Sequence, residues 1–271
     1  HSPSRRQRQM CIRDRMLGGS TFVFTRYVVD SIDPFTLSFL RYGLTGLILF
    51  LLSISVYMNK KFAKADLIPM CFLGLAMITL FPNFMALGLE HTTAARAGLL
   101  YATMPLCTII IAYFFNIEKI TLNKSLAVLL AILGVSFCMS ERVDNNFQDT
   151  LKGDFLMMIG VLSASCFTVF SGKYLKKYGN IPVMIFVILI GTILNLIISM
   201  IFGNSIISLL EINKFEAAAL LMLIIPGGVV MMYCWGKALQ LISPTQAAIS
   251  LGFNPLSAIL LGSIILNLSL I

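Results

Sequence analysis

Long apolar stretches recur along nearly the whole chain, and they limit what it can fold into. Nine of them can be marked, each close to the twenty or so residues that cross a bilayer as a helix. They run over 16–29, 35–58, 67–89, 94–115, 123–140, 155–175, 182–203, 216–241 and 246–267. The sequence therefore predicts an all-α polytopic membrane protein.

Composition supports the same class. The chain has 271 residues, of which 58% are hydrophobic and only 12% are charged, with a mean hydropathy of +0.90. A soluble domain usually has about a quarter of its residues charged, so this chain could not cover its own surface in water. A soluble enzyme, a disordered chain and a nucleic-acid-binding domain are excluded as the main interpretation. The lipid bilayer is the expected partner, and nucleic acid is not.

The first fifteen residues differ from the rest. They hold five of the twenty basic residues against one acid, and without them the net charge falls from +8 to about +4. The composition changes abruptly at Met16, and no apolar core precedes it, so the segment is not a signal peptide. We expect 1–15 to be a foreign leader. A native basic juxtamembrane tail is the alternative.

Charge alternates between the loops that join the apolar stretches. Three alternate loops are basic, with Lys60, Lys61 and Lys64, then Lys119 and Lys124, then Lys173, Lys176 and Lys177. The loops between them are acidic or mixed. Because basic loops stay in the cytoplasm, the first helix is predicted to start inside. The expected location is the plasma membrane, as a multi-pass protein of a bacterial inner membrane.

An internal repeat relates the two halves of the chain. Residues 88–116 align without a gap on 238–266, an offset of 150 residues, and Pro105 then matches Pro255. Five helices separate the two copies, and this odd number makes the second copy cross in the opposite direction. Inverted repeats of this kind are typical of secondary transporters. We expect one repeat at 16–140 and a second at 154–271 with four helices, a tenth helix being absent after Ile271.

Several of these segments resemble a known family. The stretch GGSTFVFTRYVVDSIDPFTLSFLRYG (18–43), with Gly19, Ser20, Arg26 and Arg41, resembles the start of the EamA repeat in the drug/metabolite transporter superfamily. The stretch from Gly88 to Glu118 resembles the end of that repeat, and 238–262 resembles its second copy. The resemblance implies two inverted EamA repeats with ten transmembrane helices natively, about nine of them present here. It also implies transport, in the direction of export.

Polar side chains inside apolar helices indicate where a substrate could bind, since a charged one costs roughly 2.5–3.5 kcal/mol at the bilayer centre on insertion scales. The cations within apolar stretches are Arg26, Arg41, Arg96 and Lys237, whereas every acid lies at a helix end or in a loop. This pattern predicts a pathway of positive potential for an anionic group such as a carboxylate. Snorkelling or structural pairing of each cation stays the alternative. The two matched prolines interrupt helices in both halves and indicate a central site, with a simple kink in each helix as the alternative. The candidate substrate-binding residues are Arg41, Asn83, Tyr101, Pro105, Tyr233, Trp235, Lys237, Gln246, Asn254 and Pro255.

These features favour a carrier that exports small metabolites, such as amino acids or related carboxylate-bearing solutes, by alternating access. The alternative is a non-transport membrane protein, a receptor or a structural subunit, on the same fold. No nucleophile, base and metal set is assembled, so an enzyme is not expected. We expect no cofactor and no metal. A small-molecule substrate is the expected partner, and a homodimer is left open.

Overall fold

The computed structural model describes residues 21–29, 31–119, 147–203 and 213–250, with scattered positions between 121 and 133. These described residues form helices joined by short turns, with no strand among them. Six helices in this part of the chain are long and apolar enough to cross a membrane. The predicted all-α polytopic fold is thereby confirmed.

Nine helical elements occur in the described residues and are labelled α1 to α9. They are α1 (21–28), α2 (Pro34–Met58), α3 (Lys64–His91), α4 (Ala94–Tyr101 and Met104–Phe114), α5 (helical positions 122, 125–126, 129–130 and 133), α6 (Phe147–Tyr178), α7 (Asn180–Phe202), α8 (Lys214–Leu241) and α9 (Pro244–Ile249). Parts of the predicted first, fifth and ninth stretches lie outside the described residues.

Local sequence signals set several helix starts. The Asp33 carboxylate accepts hydrogen bonds from the backbone N–H groups of Phe35 and Thr36, at 3.1 and 3.0 Å, ahead of α2. Asn213 and Glu216 form a reciprocal capping box at the start of α8. These side chains satisfy N–H groups that have no partner within the helix. Each helix therefore begins at a defined residue near the membrane surface.

Helices α3 and α8 repeat each other in detail. Each consists of an α-helical segment, a π-helical turn and a second α-helical segment. In α3 the π turn is Leu75–Leu80, and in α8 it is Ile225–Val230. Every one of these boundaries is 150 residues from its counterpart. π turns are rare and often lie at functional sites. A π turn at the same place in α3 and α8 therefore indicates that the two helices are copies of one structural unit.

Helices α2 and α7 cross each other in opposite directions. The Thr36 Oγ1 and Ser199 Oγ atoms are 2.8 Å apart, while a Cβ placed on Gly43 would lie 3.4 Å from Thr192. The residue number thus rises along α2 as it falls along α7, so the two helices are antiparallel. They are also equivalent at the offset of 150, so the two copies are inverted. Their contacts are symmetric about a point beside Tyr42 and Gly43.

Helix α6 extends further than its apolar stretch predicts. It begins at Phe147 rather than at 155, so Asp154 lies within the helix and is only 9% exposed. The expectation that every acid lies in a loop or at a helix end is therefore wrong. Hydropathy alone truncated the helix because charged residues in its first turns lower the local average.

Candidate functional site

Arg41 is a buried cation at the centre of the bundle. Its residue is 3% exposed, and its Nη2 atom donates to the carbonyl oxygen of Gly227 at 3.2 Å. The guanidinium carbon lies 5.1 Å from the centre of the Tyr42 ring. Among the described residues Arg41 has no acidic partner, and its Nε atom has no hydrogen-bond partner. Burial and inward contacts distinguish Arg41 from a cation that snorkels to the membrane surface.

Arg41 also lies close to the centre of symmetry between the two repeats. The antiparallel contacts of α2 and α7 are symmetric about Tyr42 and Gly43, one or two residues from Arg41. A two-fold axis in the plane of the membrane passes through the middle of the bilayer. In inverted-repeat transporters, substrates bind near this midplane between the repeats. Arg41 therefore occupies the level at which a carrier of this architecture holds its substrate.

Glycines in the π turn of α8 let α1 and α2 approach its backbone. A Cβ on Gly228 would lie 2.1 Å from the Thr45 hydroxyl oxygen, and one on Gly227 would lie 2.8 Å from a methyl carbon of Thr21. The Thr45 hydroxyl donates to the carbonyl of Ile224 at 3.2 Å. The π turn leaves carbonyls without their usual helical donors, and α2 supplies replacements from Arg41 and Thr45.

The equivalent contact in the other half is uncharged. The Asn195 amide on α7 donates to the carbonyl of Ile78 at 2.8 Å and accepts from Asn83 Nδ2 at 2.9 Å. Thr79 donates to the carbonyl of Gly191 at 3.2 Å. Asn83, a predicted site residue, is thus 5% exposed and bound to α7, and its Oδ1 atom has no partner among the described residues.

Tyr101 and Pro105 lie where α4 is interrupted. The helix stops at Tyr101 and resumes at Met104, with Pro105 in the first turn of the second segment. The Tyr101 ring stacks on Phe81 at 5.5 Å and meets Phe22 at 5.3 Å, measured between ring centres. Phe22 follows Thr21 in α1, so this aromatic cluster adjoins the region around Arg41.

The remaining predicted site residues do not all reach this region. Tyr233 and Lys237 line a cavity near one end of α8, and Lys237 is ten residues, or about 15 Å, beyond Gly227. Trp235 is 5% exposed and belongs to the main apolar core. Gln246 is exposed and forms a capping box with Ser243 at the start of α9. Asn254 and Pro255 lie outside the described residues.

Arg96 has a partner that the sequence did not reveal. Its Nε atom is 3.0 Å from both carboxylate oxygens of Asp154, and its Nη2 atom is 2.6 Å from one of them. The side chains are 21% and 13% exposed. A forked, partly buried pair of this kind neutralises the cation. Arg96 therefore joins α4 to α6 and does not add to a positive pathway.

Equivalent polar contacts join neighbouring elements at the two ends of the bundle. At the end with the basic loops, Asp66 at the start of α3 accepts from Lys177 and from the Tyr178 hydroxyl, both at 2.6 Å. At the other end, Glu216 at the start of α8 accepts from the Ser31 hydroxyl. Asp66 and Glu216 correspond at the offset of 150. We call these the inner latch and the outer latch.

Two important residues were missed because neither stands out in its own segment. Thr45 carries a single hydroxyl in an apolar helix, but at the offset of 150 residues it corresponds to Asn195 in the second copy. Asp154 lies 58 positions from Arg96 along the chain, so no local spacing connects them. Repeat alignment could have identified Thr45, whereas Asp154 required the helix packing.

Known proteins are similar to this chain in sequence or in fold. Two uncharacterized transporters of Archaeoglobus fulgidus are 27% and 24% identical; the matches cover 89% and 65% of this chain and 82% and 60% of the relatives. The chain thus spans less than two thirds of the second relative's length. A solved crystal structure superposes with a TM-score of 0.75 over 98% of this chain and 90% of its own, at 16% identity. That likeness concerns the fold alone.

The family comparison covers most of the chain. The model of the EamA-like transporter family matches residues 16–140 and again 151–270. The two matches coincide with the two halves that the offset of 150 relates, and the described helices are those of a multi-pass membrane protein. The chain belongs to the EamA-like transporter family.

Proposed function

We propose that this protein exports small metabolites that carry an anionic group, such as amino acids or related carboxylates, by alternating access. The observation that carries the proposal is Arg41, a buried cation beside the symmetry centre with no acidic partner among the described residues. An uncompensated charge at this depth is costly and is typical of a functional site. A substrate carboxylate would supply the missing negative charge.

The chemistry of Arg41 suits this role. A guanidinium presents five N–H donors in a planar fork that matches a carboxylate, and among the described residues Arg41 forms one hydrogen bond, to a backbone carbonyl. The carbonyl of Gly227 holds the side chain in place while other donors stay available. Thr45 adds a hydroxyl one helical turn away. The Tyr101 cluster offers an aromatic surface for the apolar part of a metabolite.

Alternating access requires each end of the bundle to open while the other stays closed. The inner latch (Asp66 with Lys177 and Tyr178) and the outer latch (Glu216 with Ser31) are equivalent contacts at opposite ends. The inner latch joins the start of α3 to the end of α6, and the outer latch joins the start of α8 to the turn that follows α1. We infer that breaking one latch opens one side. Such exposed contacts are weak, so exchange between the states costs little.

Counterflow in proteoliposomes tests the proposal. A carrier shows saturable uptake of a labelled amino acid or carboxylate that is accelerated by unlabelled substrate inside. Arg41→Gln should lower this flux at least about thirtyfold for anionic substrates, and Arg41→Lys should retain part of it. Lys214→Gln, at an exposed position at the start of α8, is the matched control and should leave flux unchanged.

Two results separate the alternatives. Saturable flux that is equal in the wild type and Arg41→Gln would remove the anionic group from the proposal. Wild-type protein that shows no counterflow with amino acids, carboxylates or neutral solutes would favour a receptor or structural subunit on the same fold. Export in a bacterial inner membrane predicts faster uptake by inside-out vesicles than by right-side-out vesicles.

A further inference from the structure

A cavity lined by lysines lies at the end of the bundle that carries the basic loops. It encloses about 420 Å³. Lys60 follows α2, Lys176 and Lys177 end α6, and Lys237 lies on α8, so two helices and the loop after α2 contribute cations to one concave space. We call it the basic cavity. Positive loops that only fix membrane orientation need not converge in this way.

The charges of the basic cavity are only partly compensated. The Lys177 ammonium is paired with Asp66 at 2.6 Å, and Lys237 donates to the Gln240 amide oxygen at 3.1 Å. Lys60 and Lys176 have no acidic partner among the described residues, and no acid lines the cavity there. Three of the four cations therefore remain without a counter-charge in that part of the chain.

The start of α7 adds to the positive potential. Gly179 has φ of +95° and turns the chain sharply between α6 and α7. Helix α7 is 23 residues long, and no side chain caps its first N–H groups. Gly179 and Asn180 both line the basic cavity. The positive end of a long helix and the four lysines thus act on the same space.

Apolar side chains lead from the bilayer to the rim of the cavity. Helix α2 leaves a run of large hydrophobic residues exposed, and one of them near its end, Val56, also lines the basic cavity. Tyr233 on α8 is 43% exposed and lies at the same rim, as aromatic residues do at a membrane interface. The exposed run on α2 consists of Leu44, Leu47, Leu51, Leu52, Ile54, Val56 and Met58.

We propose that the basic cavity binds the phosphate of an anionic diacyl phospholipid, with the acyl chains along the exposed face of α2. Basic pockets between transmembrane helices on the cytoplasmic side bind such headgroups. A soluble organic phosphate shares the phosphate chemistry, but it would make no use of the exposed apolar run of α2 that includes Val56. The site is about 15 Å from the Arg41 region and is separate from the transported substrate.

Lipid titration of the purified protein, followed by native mass spectrometry, tests this site. The probes are dioleoylphosphatidylglycerol, the neutral dioleoylphosphatidylcholine, and glycerophosphoglycerol, which is the same headgroup without acyl chains. The wild type should bind the anionic lipid at least about tenfold more tightly than the neutral one. Glycerophosphoglycerol should compete poorly because it lacks the apolar contact.

Two matched triple variants distinguish the cavity from general surface charge. Changing Lys60, Lys176 and Lys237 to Gln should abolish the preference for the anionic lipid. Changing Lys61, Lys64 and Lys119 to Gln removes the same charge from exposed positions that do not line the cavity, and it should alter affinity less than about twofold. Replacing the first three lysines by Arg should restore the preference.

Val56→Glu provides a second approach that leaves every lysine in place. Val56 is 44% exposed, so the variant should fold, and a carboxylate at the rim should weaken anionic lipid binding. Equal loss of binding in the two triple variants would overturn the proposal, as would equal affinity for the two lipids. Displacement of the lipid by an equal concentration of glycerophosphoglycerol would assign the cavity to a soluble phosphate compound instead.

Discussion

The two equivalent contacts between the halves share a backbone but differ in chemistry. Helix α2 meets the π turn of α8 through Arg41 and Thr45, while α7 meets the π turn of α3 through Gly191 and Asn195. Arg41 and Gly191 correspond at the offset of 150, as do Thr45 and Asn195. One contact therefore contains a cation with no acidic partner in the described part of the chain, and the other contains a glycine.

We interpret the α7 contact as structural and the α2 contact as the one that binds substrate. Both π turns need donors from outside their own helix, and both receive them from the equivalent position, a threonine in one case and an asparagine in the other. One helical turn before Asn195, the α7 contact is tightly packed, because Gly191 lies against Ile78 and the Gly74 carbonyl. The α2 contact instead holds a charge that one carbonyl does not neutralise. In the proposed function, this asymmetry assigns substrate binding to the α2 side.

The largest effect on stability is expected at Gly191. A Cβ there would lie 2.4 Å from Ile78 Cβ and 2.9 Å from the Gly74 carbonyl oxygen, so Gly191→Ala must push α7 away from α3. We expect a loss of about 3 kcal/mol in unfolding free energy. Gly43→Ala, whose Cβ would meet Thr192 at 3.4 Å, is the control and should cost far less. Thermal unfolding in detergent measures both, and equal losses would show that the α7 contact is not tightly packed.

Asn195 should be the next most sensitive position. Asn195→Ala leaves the Ile78 carbonyl and the Asn83 amide without their partners, which we expect to cost about 2 kcal/mol. Thr45→Val removes one hydroxyl from the equivalent place and should cost about 0.5 kcal/mol. Unfolding by denaturant in mixed micelles compares the two variants. A larger loss for Thr45→Val would reverse the assignment of scaffold and functional sides.

A smaller effect on stability is expected at the Arg96–Asp154 ion pair. Arg96 and Asp154 form a partly buried pair, and a double-mutant cycle with Arg96→Gln and Asp154→Asn should give a coupling energy of about 1 kcal/mol. Asp154→Asn should leave transport specificity for anions unchanged, unlike Arg41→Gln. Loss of that specificity in Asp154→Asn would place the pair in the substrate pathway.

The smallest effects are expected at the latches, which are exposed. With Thr45→Cys as the reporter, Asp66→Asn should raise alkylation from the cytoplasmic side about two- to threefold. Glu216→Gln should raise it from the opposite side by a similar factor. Reagents that do not cross the membrane, applied to oriented vesicles, measure each rate. An increase from the same side in both variants would contradict the pairing of inner and outer latches.

Sequence patterns predicted the course of the chain better than the site. Hydropathy located α2, α3, α7 and α8 to within a few residues because lipid exposure makes a helix apolar around its circumference. The repeat offset predicted that the same structural element would recur. The π turn of α3 could not be predicted from the sequence, since Leu75–Leu80 contains neither glycine nor proline. The corresponding turn of α8 does contain residues that disfavour a regular helix, namely Pro226, Gly227 and Gly228.

Site residues were harder to predict because burial and pairing depend on contacts between helices. Arg41 and Arg96 look alike in sequence, yet one has no acidic partner in the described structure and the other is bound to Asp154. Lys237 was grouped with Arg41, although it faces a cavity nearer the membrane surface. Gln246 was recognisable from the Ser243-x-x-Gln246 capping pattern, which explains its position without a substrate.

Disulfide cross-linking between α2 and α7 tests most directly that the two halves are inverted around the Arg41 level. In a background that lacks the six native cysteines, Thr36→Cys and Ser199→Cys should cross-link rapidly, because the Thr36 and Ser199 oxygens are 2.8 Å apart. Thr36→Cys with Phe186→Cys should not react, since Phe186 is thirteen residues, or about 20 Å, away along α7. Cross-linking of the second pair in place of the first would show parallel halves and contradict the account.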